Sequence, residues 1–311
     1  MTSGSSESPR ILIVGNAGQV GVELHRCFAD IHTVVGVDRE TFDMADPEQT
    51  RALVRREKPE IILNAAAYTA VDRAESEPQV AKAINEDAPR VLAEEALRTN
   101  ALLVHYSTDY VFDGSKRQPW IESDEPNPLS VYGASKLAGE RAIQRVGGRY
   151  LIFRTSWVYG PHGNNFLLTM LRLGAERDRL SIVNDQIGSP TTSIELARAT
   201  RTIVNGVSAG KFGTAQNWAG LYHMTCSDAV TWFGFAQAIF AGAAVQMGTR
   251  QPELTPIDTE EYPTPAARPR YSVLSNQMLF DKFGVRLSSW QDALDEVFRV
   301  LSSAGAAKAQ S

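Results

Sequence analysis

Short, unbroken apolar runs alternate with longer stretches in which apolar residues recur every three to four positions. Ile11-Leu-Ile-Val14 is the first such run, and Gly15 ends it, the pattern of a strand buried on both faces. Val20, Leu24, Cys27 and Phe28 then fall at helical spacing. His32-Thr-Val-Val-Gly-Val37 reads as a second strand ending at Asp38. Asp46-Pro47-Glu48-Gln49 reads as a helix start, with Asp as N-cap, Pro at the first helical position and Gln three residues past the cap. Further strands are predicted over 59–64, 101–106, 150–154 and 180–183, and helices over 86–99, 132–146 and 164–177. Strands alternating with helices over this length predict an α/β fold, a doubly wound parallel sheet of the Rossmann kind. The rhythm breaks after about Asn184, and prolines gather at Gly188-Ser-Pro190, Gln251-Pro252 and Tyr262-Pro-Thr-Pro-Ala-Ala-Arg-Pro269. This predicts a smaller C-terminal lobe at the strand ends, where open α/β sheets keep their ligand crevice. No repeat of 20 to 50 residues is present, which excludes a solenoid.

Composition narrows the partners. Lys and Arg number 31 against 36 Asp and Glu, a net charge of −5 over 311 residues. Such a chain lacks the basic excess that neutralises phosphate backbones, so no nucleic-acid partner is expected. No stretch approaches a membrane span, and the polar first nine residues lack a signal peptide's apolar run. Two cysteines, Cys27 and Cys226, cannot build a disulfide scaffold. A cytoplasmic protein with no membrane partner is expected, with disordered tails at 1–9 and 303–311.

The first predicted strand runs into Gly15-Asn-Ala-Gly18-Gln-Val-Gly21. Glycines at this spacing permit a tight turn, close approach of backbone to a pyrophosphate, and close packing of helix on strand. The following helix N-terminus offers free N–H groups and positive dipole to phosphates. Asp38, which ends the next strand, can accept hydrogen bonds from an adenosine ribose and favours NAD. The adjacent Arg39 can pair with a 2′-phosphate and favours NADP. The two signals conflict, and both NADH and NADPH remain open.

Tyr132 and Lys136 are four apart on a predicted helix, hence on one face. A neighbouring ammonium would lower the tyrosine pKa toward working pH, and the phenol could protonate an incipient alkoxide while hydride arrives from a nicotinamide. Thr108 or Ser107, at the end of the fourth strand, could hydrogen-bond the substrate carbonyl.

These motifs resemble the extended short-chain dehydrogenase/reductase family, and within it the dTDP-4-dehydrorhamnose reductase branch. The stretches that carry the resemblance are GNAGQVG (15–21), NAAAYTAVDRAESEP (64–78), HYSTDYVFDG (105–114), YGASKLAGE (132–140), RTSWVYG (154–160), GNNF (163–166), NDQIGSPT (184–191) and YPTPAARP (262–269). It implies a dinucleotide-binding domain over 10–160 and a mainly nucleotide-sugar-binding lobe over 161–302, with about 180–240 partly returning to the first. It implies NAD(P)H-dependent reduction of the 4-keto group of dTDP-4-dehydro-β-L-rhamnose, with Tyr132 as proton donor, Lys136 as its electrostatic partner and Thr108 at the carbonyl. Gly15, Gly18, Gln19 and Val20 would line the pyrophosphate, Asp38 and Arg39 the ribose, and Asp43 and Met44 the adenine. Ala66, Ala67, Tyr68, Thr69 and Tyr106 would line the cofactor channel, and Asp109 and Trp157 would contact the sugar. A homodimer with magnesium at its interface is also implied, held by Glu23 and Glu195, with a looser match at Glu296. Where the family tends to have small polar residues after Arg268-Pro269, this chain has Arg270-Tyr271; Arg270 could strengthen diphosphate binding or be a surface charge. Two alternatives stay open. One is a non-catalytic NADP-binding regulatory subunit of a methionine adenosyltransferase-like partner. The other is a related nucleotide-sugar epimerase or reductase.

Overall fold

The computed structural model of the chain describes residues 9–309. Residues 1–8 and 310–311, parts of the expected tails, lie outside the described residues.

Six parallel strands form the central sheet. Five are β1 (Arg10–Val14), β2 (Thr33–Val37), β3 (Ile61–Asn64), β4 (Leu102–Thr108) and β5 (Tyr150–Thr155), and the sixth is Gly220–His223. Their spatial order is Gly220–His223, β5, β4, β3, β1, β2. Progression along the chain reverses between β1 and β3, which places the crevice beyond the carboxyl ends of these strands.

The apolar runs form strands because both faces are covered. Along β1, Ile11 and Ile13 enter one core with Leu24 and Phe28 of α1 (Gln19–Phe28) and with Ile203. Leu12 and Val14 enter the opposite core with Leu53 and Val54 of α2 (Pro47–Glu57). The period-two alternation of a strand thus feeds two separate hydrophobic layers. Asp46 caps α2 as read, accepting from the backbone N–H of Glu48 at 2.9 Å.

Three features depart from the sequence reading. The helix expected from residue 86 begins earlier, in pieces: α3 (Val71–Ala74), α4 (Pro78–Lys82), a π-helical turn Ala83–Asp87, then α5 (Ala88–Thr99). The π turn seats Asn85, whose side chain bonds Ser135 Oγ at 3.0 Å and both backbone groups of Tyr68. The strand Arg179–Val183 does not join the central sheet but pairs in parallel with Glu253–Ile257. Arg179 and Ser181 are exposed, so only one face of this strand is covered, unlike a central parallel strand. Its expected place is taken by Gly220–His223, which pairs with β5. Finally, the helix Trp290–Ala309 continues through residues 303–309, expected as tail. Ala304, Ala306, Ala307 and Ala309 give that stretch high helix propensity. Among the described residues no helix is long and apolar enough to cross a membrane. Both cysteines are free.

Candidate active site

The glycine loop is pinned to the end of β2. The N–H groups of Gly15 and Asn16 both donate to the Val37 carbonyl, at 2.9 and 3.0 Å. Gly15 sits at φ +87°, where a Cβ would lie 2.7 Å from the Ala66 nitrogen. A Cβ at Gly21 would lie 2.0 Å from the Gly15 carbonyl oxygen. Gly18 is the N-cap of α1 and offers no side chain to its first turn, so the N–H groups of Gln19, Val20 and Gly21 have no intrahelical partner. The Gln19 side chain accepts from Asn165 Nδ2 at 3.0 Å, which ties this loop to the 160–165 segment.

Residues 38–44 and 65–69 follow β2 and β3, the two neighbours of β1, so the expected ribose, adenine and channel positions converge on the glycine loop. The Asp38 carboxylate accepts from the Glu40 N–H at 3.0 Å, and Arg39 is exposed beside it. Asp43 accepts from the Ala45 N–H at 2.9 Å, whereas the Met44 side chain is buried in the core. Ala66, Ala67 and Tyr68 are half-buried and Thr69 is exposed. The Tyr68 hydroxyl donates to Glu77. Tyr106 departs from its expected place. Its ring lies in the core and its hydroxyl is 2.6 Å from Thr200 Oγ1, so only its backbone carbonyl faces the site.

A second cluster lies at the ends of β4 and β5 and on α6 (Val131–Val146). Ser130 caps α6, accepting from the Gly133 N–H at 3.2 Å. A Cβ at Gly133 would lie 2.2 Å from the Tyr110 carbonyl, so glycine is what lets the first turn of α6 press against the turn Asp109–Val111. The Tyr110 ring meets Tyr132 edge-on, with centroids 5.6 Å apart. Tyr132 sits beside Thr108, and Thr108 Oγ1 donates to Asp109 Oδ1 at 3.1 Å. Asp109 is buried with Oδ2 unpartnered, and burial pushes its carboxyl up to about 6.

The Lys136 ammonium is buried, donates to the Tyr106 carbonyl at 2.6 Å and lies 3.3 Å from His105 Nε2. Burial pushes it down to about 8. The expectation that Lys136 depresses the Tyr132 pKa is not met. Burial instead pushes Tyr132 up to about 12, and the neighbouring Asp109 acts in the same direction. The physical reason is that the ammonium is engaged by a backbone carbonyl while the phenol sits in a desolvated pocket. Of the two hydroxyl candidates, Ser107 donates to Glu140, whereas Thr108 lies beside Tyr132.

Trp157, two residues past β5, holds φ +47° and stacks on Trp232 at 3.5 Å, with Gly188 against its ring. Thr155 and Thr108 are register partners, so Trp157 and Asp109 project from adjacent strand ends. The magnesium expectation finds no support. Glu23 pairs with Arg26 at 3.0 Å, and Glu296 takes both Nη atoms of Arg198 at 2.5 and 2.7 Å. Glu195 accepts from the Ser288 N–H at 2.9 Å and lies 3.6 Å from the same Arg198. Arginine already neutralises these carboxylates, and among the described residues no three His, Cys, Asp or Glu side chains gather as a metal site. Arg270 is an exposed cation paired with Glu260 at 2.5 Å. Arg268 pairs with Asp72 of α3 at 2.9 Å.

Sequence reasoning gave no role to Asp72, Asn85, His105, Glu140, Arg154 or Trp232. Asp72, His105, Glu140 and Arg154 carried a signal, since each lies within a stretch that supported the resemblance, as does Arg268, whereas Asn85 and Trp232 lie outside every such stretch.

Known proteins align with this architecture along nearly its whole length. The RmlD substrate binding domain family matches residues 9–303. The dTDP-4-dehydrorhamnose reductase of Burkholderia thailandensis is 45% identical over 94% of this chain and 99% of its own. That of Escherichia coli K12 is 42% identical over 90% and 94%. The solved structure of the Bacillus anthracis dTDP-4-dehydrorhamnose reductase, in complex with NADP, gives a TM-score of 0.84 at 36% identity, covering 94% of this chain and 99% of that one. By the extent of these matches the chain belongs to the RmlD substrate binding domain family, alongside these dTDP-4-dehydrorhamnose reductases.

Proposed function

We propose that this protein reduces the 4-keto group of dTDP-4-dehydro-β-L-rhamnose to dTDP-L-rhamnose with NADPH or NADH. The observation that carries the reading is the Tyr132 phenol, kept protonated by burial, standing beside Thr108 and the buried Asp109. A reduction needs a proton donor at the carbonyl oxygen, and a neutral phenol is that donor.

The residues fit a dinucleotide. A Cβ at Gly15 or Gly21 would strike neighbouring backbone, so glycine is what keeps the turn tight, and three N–H groups at the start of α1 are free to meet a diphosphate. Gly18, Gln19 and Val20 would hold the pyrophosphate, Asp38 and Arg39 the adenosine ribose, and Lys136 the nicotinamide ribose. When bound, the reduced nicotinamide supplies the hydride. Thr108 orients the carbonyl oxygen, and Tyr132 delivers its proton to that oxygen as negative charge develops there. Lys136, one helical turn away, keeps its ammonium on the Tyr106 carbonyl, so its part is to hold the cofactor rather than to ionise the phenol. Asp109 accepts from a sugar hydroxyl, and the paired rings of Trp157 and Trp232 form an apolar wall for the substrate. Arg39 favours NADPH, in keeping with the NADP held by the Bacillus anthracis relative.

The names of the relatives at 42–45% identity favour reduction over the regulatory-subunit alternative. In the test, NADPH absorbance falls only when protein and dTDP-4-dehydrorhamnose are both present. A panel of nucleotide 4-keto sugars separates this substrate from those of related epimerases and reductases. Absence of turnover with any of them, in protein that still binds NADPH, overturns the reading.

A further inference from the structure

Glu140 lies one turn past Lys136 and two past Tyr132, on the same face of α6. It is 1% exposed, yet it carries a carboxylate. Arg154 of β5 donates to both of its oxygens, Nε to Oε1 at 2.9 Å and Nη2 to Oε2 at 2.6 Å. Ser107 of β4 donates to Oε1 as well. The Arg154 guanidinium in turn covers the Phe112 ring, 5.0 Å from its centroid, just after the Asp109–Val111 turn. One buried carboxylate therefore joins three elements at the site: α6 with Tyr132 and Lys136, β4 with Thr108, and β5, which leads to Trp157.

Buried ion pairs are poor sources of net stability, because desolvation cancels most of the attraction and apolar replacements often do as well. What a bidentate pair with a third hydrogen bond does supply is direction. Its geometry permits one rotation of the helix and one height along the strands. The ring of hydrogen bonds closes one residue from Thr108 on β4 and four from Lys136 on α6, so a small slip of α6 would be felt directly at the Tyr132 hydroxyl.

We infer that Glu140 is a positioning residue: through Ser107 and Arg154 it sets α6 against the ends of β4 and β5, and so fixes the Tyr132 phenol relative to Thr108. The inference rests on the reductase reading of the site. Neither Glu140 nor Arg154 touches the reacting atoms. Their effect is on how often those atoms are in register.

The test uses Ser107→Ala, which removes the β4 hydrogen bond and leaves the ion pair whole, and Glu140→Gln, which keeps the shape and removes the charge. Misplacement by about 1 Å costs on the order of 100-fold in rate, so Glu140→Gln is expected to lose about that much kcat and Ser107→Ala about tenfold. The Kd for NADPH should stay within about twofold, since uniform binding is untouched. With deuterated nicotinamide cofactor the isotope effect on kcat should rise in both variants, because poorer alignment slows the hydride step itself. Ser107→Thr, which keeps the hydroxyl, should recover the rate. A purely structural role would lower rate only with the folded fraction and leave the isotope effect unchanged, and that result overturns the inference. So does wild-type kcat in folded Ser107→Ala, which decides the matter even if Glu140→Gln does not fold. Wild-type protein that fails to turn over the sugar would instead strike the reductase reading, a result visible before any variant is made.

Discussion

Replacing Tyr132 by Phe removes one oxygen and nothing else. The ring keeps its edge-on contact with Tyr110 at 5.6 Å, so packing at the start of α6 survives. Thr108 Oγ1 keeps its own bonds, accepting from the Tyr110 N–H at 3.2 Å and donating to Asp109 at 3.1 Å. The hydroxyl's removal costs stability no more than one hydrogen bond is worth, about 1 kcal/mol net. For a chain of this size that corresponds to a fall in Tm of about 1–2 °C. The catalytic loss is of another order. Proton transfer by a positioned side chain contributes about 10²–10⁴ in rate, or about 2.7–5.4 kcal/mol of barrier. Because burial holds the phenol near 12, it is protonated throughout the neutral range. The assay pairs NADPH oxidation by stopped-time absorbance with NADPH binding by fluorescence and a thermal melt. The expected outcome is a large loss of kcat, unchanged cofactor binding and a small shift in melting. A variant within about threefold of wild-type kcat would refute the assignment of Tyr132 as donor, since so small a change is well under 1 kcal/mol.

Other outcomes follow from the same geometry. Activity that needs the Lys136 ammonium is complete below about pH 8 and declines as pH rises through that value, and the limb disappears in Lys136→Met; a rate flat to pH 10 would contradict this. Since burial also places Lys136 below its ordinary 10.5, the unfolded chain holds that proton more tightly between about 8 and 10.5, and this residue's contribution to stability rises with pH across the window, measurable by urea titration of wild type against Lys136→Met. Arg39→Ala should raise KM for NADPH about tenfold, about 1.4 kcal/mol, while NADH is unaffected, and equal changes for both would assign Arg39 to the surface. Gly21→Ala places a methyl 2.0 Å from the Gly15 carbonyl, so the loop must open; NADPH affinity should fall by at least about tenfold, read by fluorescence titration.

The cofactor half was legible in the chain because its signals are local. An apolar run buried on both faces, glycines where a Cβ would collide, an Asp-Pro helix start and a Tyr–Lys spacing of four are each properties of a few neighbouring residues. They give the same answer whatever the rest of the fold does, and β1, α1, α2 and α6 all formed where that pattern put them. Family motifs extended this to the sugar end of the site. Tertiary structure alone decided which candidates converge and in what state. Ser107 and Thr108 are adjacent in sequence, yet Glu140 claims one hydroxyl and leaves the other for the site. The short strand at Arg179 finds its partner at Glu253, and Arg268 finds Asp72 across 196 positions. Lys136 turns to a backbone carbonyl, and the three glutamates read as metal ligands lie beside arginines. Burial and partner geometry are sums over residues that meet only after folding, and those sums, rather than residue type, set the protonation of Tyr132, Lys136 and Asp109.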